Sequence, residues 1–156
     1  MHVKVAAELT KSGVQYTLRH HADMGRPIRS PKDFAAALGY HPDRIAKALF
    51  LRTQNRETYA VALCSAAKSV DFAALAARMG VSRLELAGRE DLRALTDYPP
   101  TGVSPIGLDQ IPVFMDKALL MHDTILVGAG VAGSEIEISP NQLRDLVSAE
   151  ALDLTL

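Results

Sequence analysis

Apolar residues recur along this chain with two periods, near 3.6 and 2, and the switches between them mark out short helices and strands in alternation. Val3 to Lys11 sets Ala6, Ala7 and Leu9 on one helical face, with Gly13 placed to stop it. Val14, Tyr16 and Leu18 then alternate with Gln15, Thr17 and Arg19, which predicts a half-buried strand. Ser30-Pro31-Lys32-Asp33 supplies a cap, a first-turn proline and an acidic third position for a helix ending at Gly39. Pro42 opens a short helix that runs into the strand Ala48-Leu49-Phe50-Leu51. Thr58 to Cys64 pairs with that strand across the polar link Thr53 to Glu57.

Further on, Asp71 to Met79 predicts a helix stopped by Gly80, Leu84 to Leu86 a short strand, and Arg89 to Leu95 another helix. Pro112 to Met115, Thr124 to Val127 and Glu135 to Ile138 read as strands. Ser139-Pro140-Asn141-Gln142 caps a closing helix with Leu143, Leu146 and Val147 on one face. About seven strands with hairpin-length links, and five or six helices, imply a mixed α+β fold. Its sheet is expected to be mainly antiparallel and curled toward a barrel, with helices around it.

Composition narrows this further. At 156 residues and 48% hydrophobic, the chain is the length of one domain, taken as 1–156, and can bury a core without staples. Cys64 is the single cysteine, which excludes an internal disulfide and a cysteine-based zinc site. No apolar run reaches a membrane span, and Met1-His2-Val3-Lys4-Val5 lacks the apolar region of a signal peptide, so a soluble, cytoplasmic protein with no membrane partner is expected. The net charge of -1 hides an asymmetry: residues 1–56 hold ten Lys/Arg against four Asp/Glu, and residues 57–156 seven against fourteen. A basic face for a polyanion is the consequence, with Arg19, Arg26, Arg29, Arg44 and Arg52 as its candidates.

Three segments could carry chemistry. Gly128-Ala129-Gly130-Val131-Ala132-Gly133 is a literal G-x-G-x-x-G behind a strand. A dinucleotide site needs those glycines to open a helix, yet Ser134-Glu135-Ile136-Glu137-Ile138 continues with period two, so the loop joins two strands and no nucleotide cofactor is expected. Its exposed amides suit an anion, a carbonyl oxygen or a ribose; a plain hairpin turn is the alternative. Lys47 stands between apolar neighbours in Ile45-Ala46-Lys47-Ala48-Leu49, either snorkelling from a strand end or donating to a phosphate or ester oxygen. Gly102-Val103-Ser104-Pro105-Ile106-Gly107 is a rigid bend beside a hydroxyl that lacks the sequence context of a serine nucleophile.

The other candidates are thinner. His20 and His21 point to opposite faces if both lie on a strand, His41 reads as a helix cap, and His122-Asp123 has no third ligand at metal spacing, so no metal is expected. Cys64 reads as a core residue, and Asp116 and Glu135 are open either as paired carboxylates or as solvated strand ends.

In order, Ile45-Ala46-Lys47-Ala48-Leu49, Gly102-Val103-Ser104-Pro105-Ile106-Gly107, Val113-Phe114-Met115-Asp116, Ile125 to Gly130 and Glu135 to Pro140 resemble the YbaK/EbsC family. That family includes aminoacyl-tRNA deacylases related to the editing domain of bacterial prolyl-tRNA synthetases. The resemblance implies hydrolysis of small amino acids wrongly attached to tRNA, without a cofactor, with aminoacyl-tRNA as substrate and prolyl-tRNA synthetase as a further partner. It places the family's lysine on Lys47, the glycine of its bend on Gly102 and its loop on Gly128 to Gly130. Lys47, Gly102 and Gly128 are then the catalytic candidates, and Ser104, Pro105, Ala129, Gly130 and Glu135 the substrate-binding ones. Relatives that cleave cysteinyl-tRNA carry a serine and an aspartate where this chain has Gly128 and Glu135, and many carry a glycine at the place of Thr101, so the resemblance implies an alanine- or cysteine-like residue on tRNA-Pro and leaves the choice between them open.

An aminoacyl ester is already activated, so its hydrolysis needs chiefly a positioned water and donors for a developing oxyanion. The resemblance implies that a substrate hydroxyl stands in for a protein base. A small closed pocket is expected to reject larger side chains by clash. The alternative function is a non-catalytic module of the same fold that binds tRNA or a synthetase.

Overall fold

The computed structural model describes residues 1–156 and arranges eight strands in two open sheets. The first element, α1 (Val3–Ser12), buries Val5 and Leu9 and is closed by Gly13 in the left-handed conformation. β1 (Thr17–His20) follows, and a tight helical turn, His21–Met24, carries the chain to α2 (Pro31–Leu38). Ser30 caps α2 by accepting from the Asp33 amide, as its Ser-Pro-x-Asp start predicts. A second such turn, Pro42–Arg44, is capped by the ring of His41, which accepts from the Asp43 amide. β2 (Ala46–Arg52) and β3 (Tyr59–Ser65) form the expected hairpin.

Beyond it come α3 (Phe72–Met79), β4 (Glu85–Leu86), α4 (Arg89–Thr96), β5 (Val113–Asp116), β6 (Ile125–Gly128), β7 (Ser134–Ile138), α5 (Pro140–Val147) and β8 (Glu150–Leu152). One sheet has the order β1-β7-β6 and the other β4-β2-β3-β5-β8. Four pairings are antiparallel, while β3-β5 and β5-β8 are parallel, so the sheet system is mixed and mainly antiparallel, as expected. The sheets do not close into a barrel. A single parallel bridge between Ile45 and Leu126 links them at the start of β2.

Two boundaries differ from expectation. The alternation at Val14, Tyr16 and Leu18 predicts a strand from Val14, but pairing begins at Thr17, opposite Glu137; in this register Val14 and Gln15 stand level with Pro140 and Ser139, where the chain has already turned into α5. β8 has no alternating pattern of its own and is held by β5 alone.

The main core lies between the sheets. Val5 and Leu9 from α1 meet Leu63, Met115, Ile125, Val127, Ile136 and Leu143 there, with Tyr98 and Ile106 at one end. β3 is buried from Ala60 to Ser65, as a central strand covered on both faces must be, which explains its unbroken apolar run. Where the first residues of β2 meet the β6–β7 loop, these layers part and leave a cavity.

Candidate functional site

Two glycine segments lock together at the back of this cavity. A Cβ on Gly128 would stand 2.2 Å from the carbonyl oxygen of Val103, and a Cβ on Gly102 would stand 2.5 Å from the carbonyl carbon of Val131. Each segment thus places its glycine where the other's backbone passes, at a separation that no larger residue permits. The cavity they back has a volume of about 470 Å³, within the range of small-molecule sites. Its walls come from His21, the start of α2 (Arg29 to Pro31 and Phe34), Ile45 to Ala48 of β2, Pro100 to Val103, and Gly128 with Gly133 to Glu135.

Lys47, Gly102, Gly128 and Glu135 therefore share one site although they are spread over most of the sequence. Lys47, on β2 opposite Cys64, is half-buried. Arg29 and the N-terminus of α2 add positive character to the same wall. The space is larger than a small amino acid requires and is not the small closed pocket anticipated; it also has room for part of a terminal nucleoside.

The structure removes four of the substrate-binding candidates from this cavity. Ser104 is fully buried and its hydroxyl accepts from the Ile106 amide at 3.2 Å. Pro105 borders a separate, smaller hollow beside Glu8 and Leu146. Ala129 belongs to the main core, and Gly130 faces His2 and Tyr98, where a Cβ would fall 2.5 Å from that of His2. Gly102 and Gly128 of the same two segments line the cavity, whereas these four residues do not.

Two main-chain amides of these glycine segments are already engaged within the fold. The Gly102 amide donates to Pro99 O at 3.0 Å and the Ala129 amide to Ser134 O at 3.2 Å, so both are engaged. Thr101 and Val103 line the cavity, and neither amide donates to a backbone carbonyl.

His21 is a site residue that the sequence pattern does not reveal. It follows β1, and its ring Nε2 donates to Oε2 of Glu135 at 2.7 Å, while the ring packs on Phe34 with centroids 4.6 Å apart. Burial pushes the Glu135 carboxyl up, and the His21 hydrogen bond opposes that shift. A period-two reading put His20 and His21 on opposite strand faces; the chain instead leaves the strand at His20, whose Nδ1 lies 2.7 Å from Ser134 Oγ. No cluster of metal-ligating side chains unites His20, His122 and Asp123. Glu135 and Asp116 are not paired either: Asp116 Oδ1 accepts from the Leu154 amide at 3.1 Å, away from the cavity. Cys64 is buried, and burial pushes its thiol up, away from thiolate chemistry.

The basic face is only partly formed. Arg19 and Arg44 both bind Glu137, at 2.8 and 3.3 Å, and Arg44 stacks on Tyr40. Arg52 is paired with Glu85 and Asp91. Folding has mixed the basic and acidic stretches, and Arg26 and Arg29 are the exposed candidates without an ion pair. No helix is long and apolar enough to cross a membrane.

Comparison with known proteins gives these features a context. The family model of the aminoacyl-tRNA editing domain matches residues 25–146. The chain is 30% identical over 127 residues to EbsC of Enterococcus faecalis, described as a candidate Cys-tRNA(Pro)/Cys-tRNA(Cys) deacylase, covering 81% of this chain and 77% of that protein. It is 26% identical over 129 residues to the proline–tRNA ligase of Thermosipho melanesiensis, covering 83% of this chain and 22% of the ligase. The fold matches the crystal structure of a candidate trans-editing enzyme for prolyl-tRNA synthetase with a TM-score of 0.85, at 22% identity over 100% of this chain and 99% of that one. With its two interlocked glycine segments and its cavity lysine, the chain belongs to the YbaK/EbsC family of aminoacyl-tRNA editing domains.

Proposed function

We propose that this protein acts in trans as an aminoacyl-tRNA deacylase, hydrolysing the ester between a small amino acid, alanine or cysteine in size, and the terminal ribose of tRNA-Pro. The observation that carries this reading is that Lys47, Thr101, Val103 and Glu135 line one cavity, with the Thr101 and Val103 amides donating to no backbone carbonyl. Lys47 holds the phosphate or ester region of the terminal nucleotide as a compact cation. Water attacks the ester carbon while the amides of Thr101 and Val103 receive the developing oxyanion. Fixed main-chain donors of this kind lower the barrier because they need no reorganisation as charge forms. The ribose hydroxyl beside the ester relays the proton: it takes one from the attacking water and gives its own to the 3′ oxygen, so the carbon–oxygen bond breaks, the ribose leaves as a 3′ hydroxyl and the amino acid is freed as its carboxylic acid. The loop and bend glycines hold the two walls at the separation that this requires.

The test is incubation with alanyl- and cysteinyl-tRNA-Pro, with and without a chelator, followed by release of the amino acid. Release of either amino acid, unchanged by the chelator, is the expected result. Tight binding of tRNA or of the synthetase without release overturns the reading in favour of a non-catalytic module.

A further inference from the structure

Among the side chains lining the cavity, Glu135 is the single acidic one, set against Lys47 and Arg29. Its carboxylate is held from one side only. Oε2 accepts from His21, whereas Oε1 accepts no hydrogen bond within the protein and is not sealed from solvent. The side chain is 14% exposed, and the ring that holds it is fixed on Phe34. Glu135 also stands opposite Gly128 in the β6–β7 ladder, beside the bend that carries the Val103 amide. A carboxylate built in this way is an oriented acceptor with one oxygen left for a guest.

An aminoacyl ester carries one obligatory cation, its α-ammonium, on the carbon next to the reacting carbonyl. The α-amino group titrates at about 7.7–8.0 in peptides, so much of it is charged near neutrality. A cavity already holding Lys47 and Arg29 repels that group unless an anion receives it. On the deacylase reading given above, we infer that Glu135 is the α-ammonium anchor of the site and that His21 is the residue positioning it. The anchor makes the free amine a requirement: the site takes aminoacyl esters and refuses N-acylated ones such as peptidyl or formylated esters. Burial that disfavours the carboxylate in the empty site strengthens its response to a cation that enters.

The test measures single-turnover deacylation of alanyl-tRNA-Pro and its N-acetylated form by the wild type, Glu135→Gln, Glu135→Asp and His21→Ala. The wild type should prefer the free amine. Glu135→Gln should lose about 10- to 150-fold on the free-amine ester, the worth of a hydrogen bond to a charged group, and under about threefold on the N-acetyl ester. Glu135→Asp, which keeps the charge, should recover part of the loss, and His21→Ala should show a smaller loss with the same substrate dependence. Melting curves of the variants control for folding. Equal losses on both esters would make Glu135 a proton acceptor or a structural group and overturn the anchor, as would an unaffected Glu135→Gln. The same series is run on cysteinyl-tRNA-Pro, and a wild type that releases neither alanine nor cysteine overturns the deacylase reading itself and the anchor with it.

Discussion

Gly128 and the carbonyl of Val103 are in backbone contact so close that a Cβ on the glycine would lie 2.2 Å from that oxygen. This contact changes the meaning of Gly128 as a point of departure from cysteine-cleaving relatives. Replacing it with serine cannot be read as a simple exchange of specificity, because the bend holding Gly102 and Val103 must first move.

Gly128→Ser and Gly102→Ala are each expected to destabilise the protein by about 1–3 kcal/mol, the usual cost of overpacking a site that cannot relax freely. Thermal melts check this. Wild-type stability in either variant would show that the two segments separate readily. Glu135→Asp alone then becomes the cleaner probe of cysteine against alanine selectivity.

Lys47→Ala is expected to abolish deacylation and to change stability by less than about 0.5 kcal/mol, since Lys47 is half-buried and its ammonium has no ion-pair partner in the fold. Lys47→Arg should not restore full activity, because a planar guanidinium replaces a compact ammonium in a confined wall. Full activity of the alanine variant on every mischarged tRNA would remove Lys47 from the mechanism.

Reversing the charge of Arg26 and Arg29 is expected to weaken binding to any tRNA sequence. It should flatten the slope of log affinity against log salt by about 0.7 to 0.9 for each phosphate that the variant no longer neutralises. Glu85 and Asp91 do not serve as controls because they hold Arg52; exposed Asp109 does. An unchanged salt slope would move the tRNA-binding surface to the mouth of the cavity.

Glu137 supplies a pH-dependent part of stability. Burial alone would raise its carboxyl, but hydrogen bonds from Thr124, Tyr40 and Arg19, with the charge of Arg19, outweigh burial and hold it below the ordinary glutamate range. A depressed acid stabilises the fold above its unfolded value, and that contribution is lost as pH falls through the folded one. Because it leaves Arg19 and Arg44 without their carboxylate, Glu137→Gln should cost about 2 kcal/mol at neutral pH, and it should remove this acid-side slope from the stability profile. The cost falls short of the range for fully buried pairs because Arg19 and Arg44 are 34% and 23% exposed. Parallel melting profiles of wild type and variant from neutral to acid pH would refute this.

How much of this was legible in the sequence depends on the range of the forces involved. The helices capped at Ser30, His41, Asp71 and Ser139, and the stops at Gly13, Gly39 and Gly80, follow from bonds between near neighbours, and the sequence determined them. The β2–β3 hairpin and the strand-to-strand reading of the glycine loop were also local matters of period. The resemblance in the ordered motifs likewise singled out Lys47, Gly102 and Gly128, which line one cavity in the fold. What those glycines touch was decided only by the tertiary structure, because the interlock of Gly102 with Val131 and of Gly128 with Val103 joins segments far apart in the chain. The same holds for β8, which exists by pairing with β5, and for the basic face, reduced when Arg19 and Arg44 met Glu137. His21 and Glu135 are 114 residues apart, and no periodic pattern in the chain encodes that meeting; it depends on β1 pairing with β7 in one register and on the turn that begins where β1 ends.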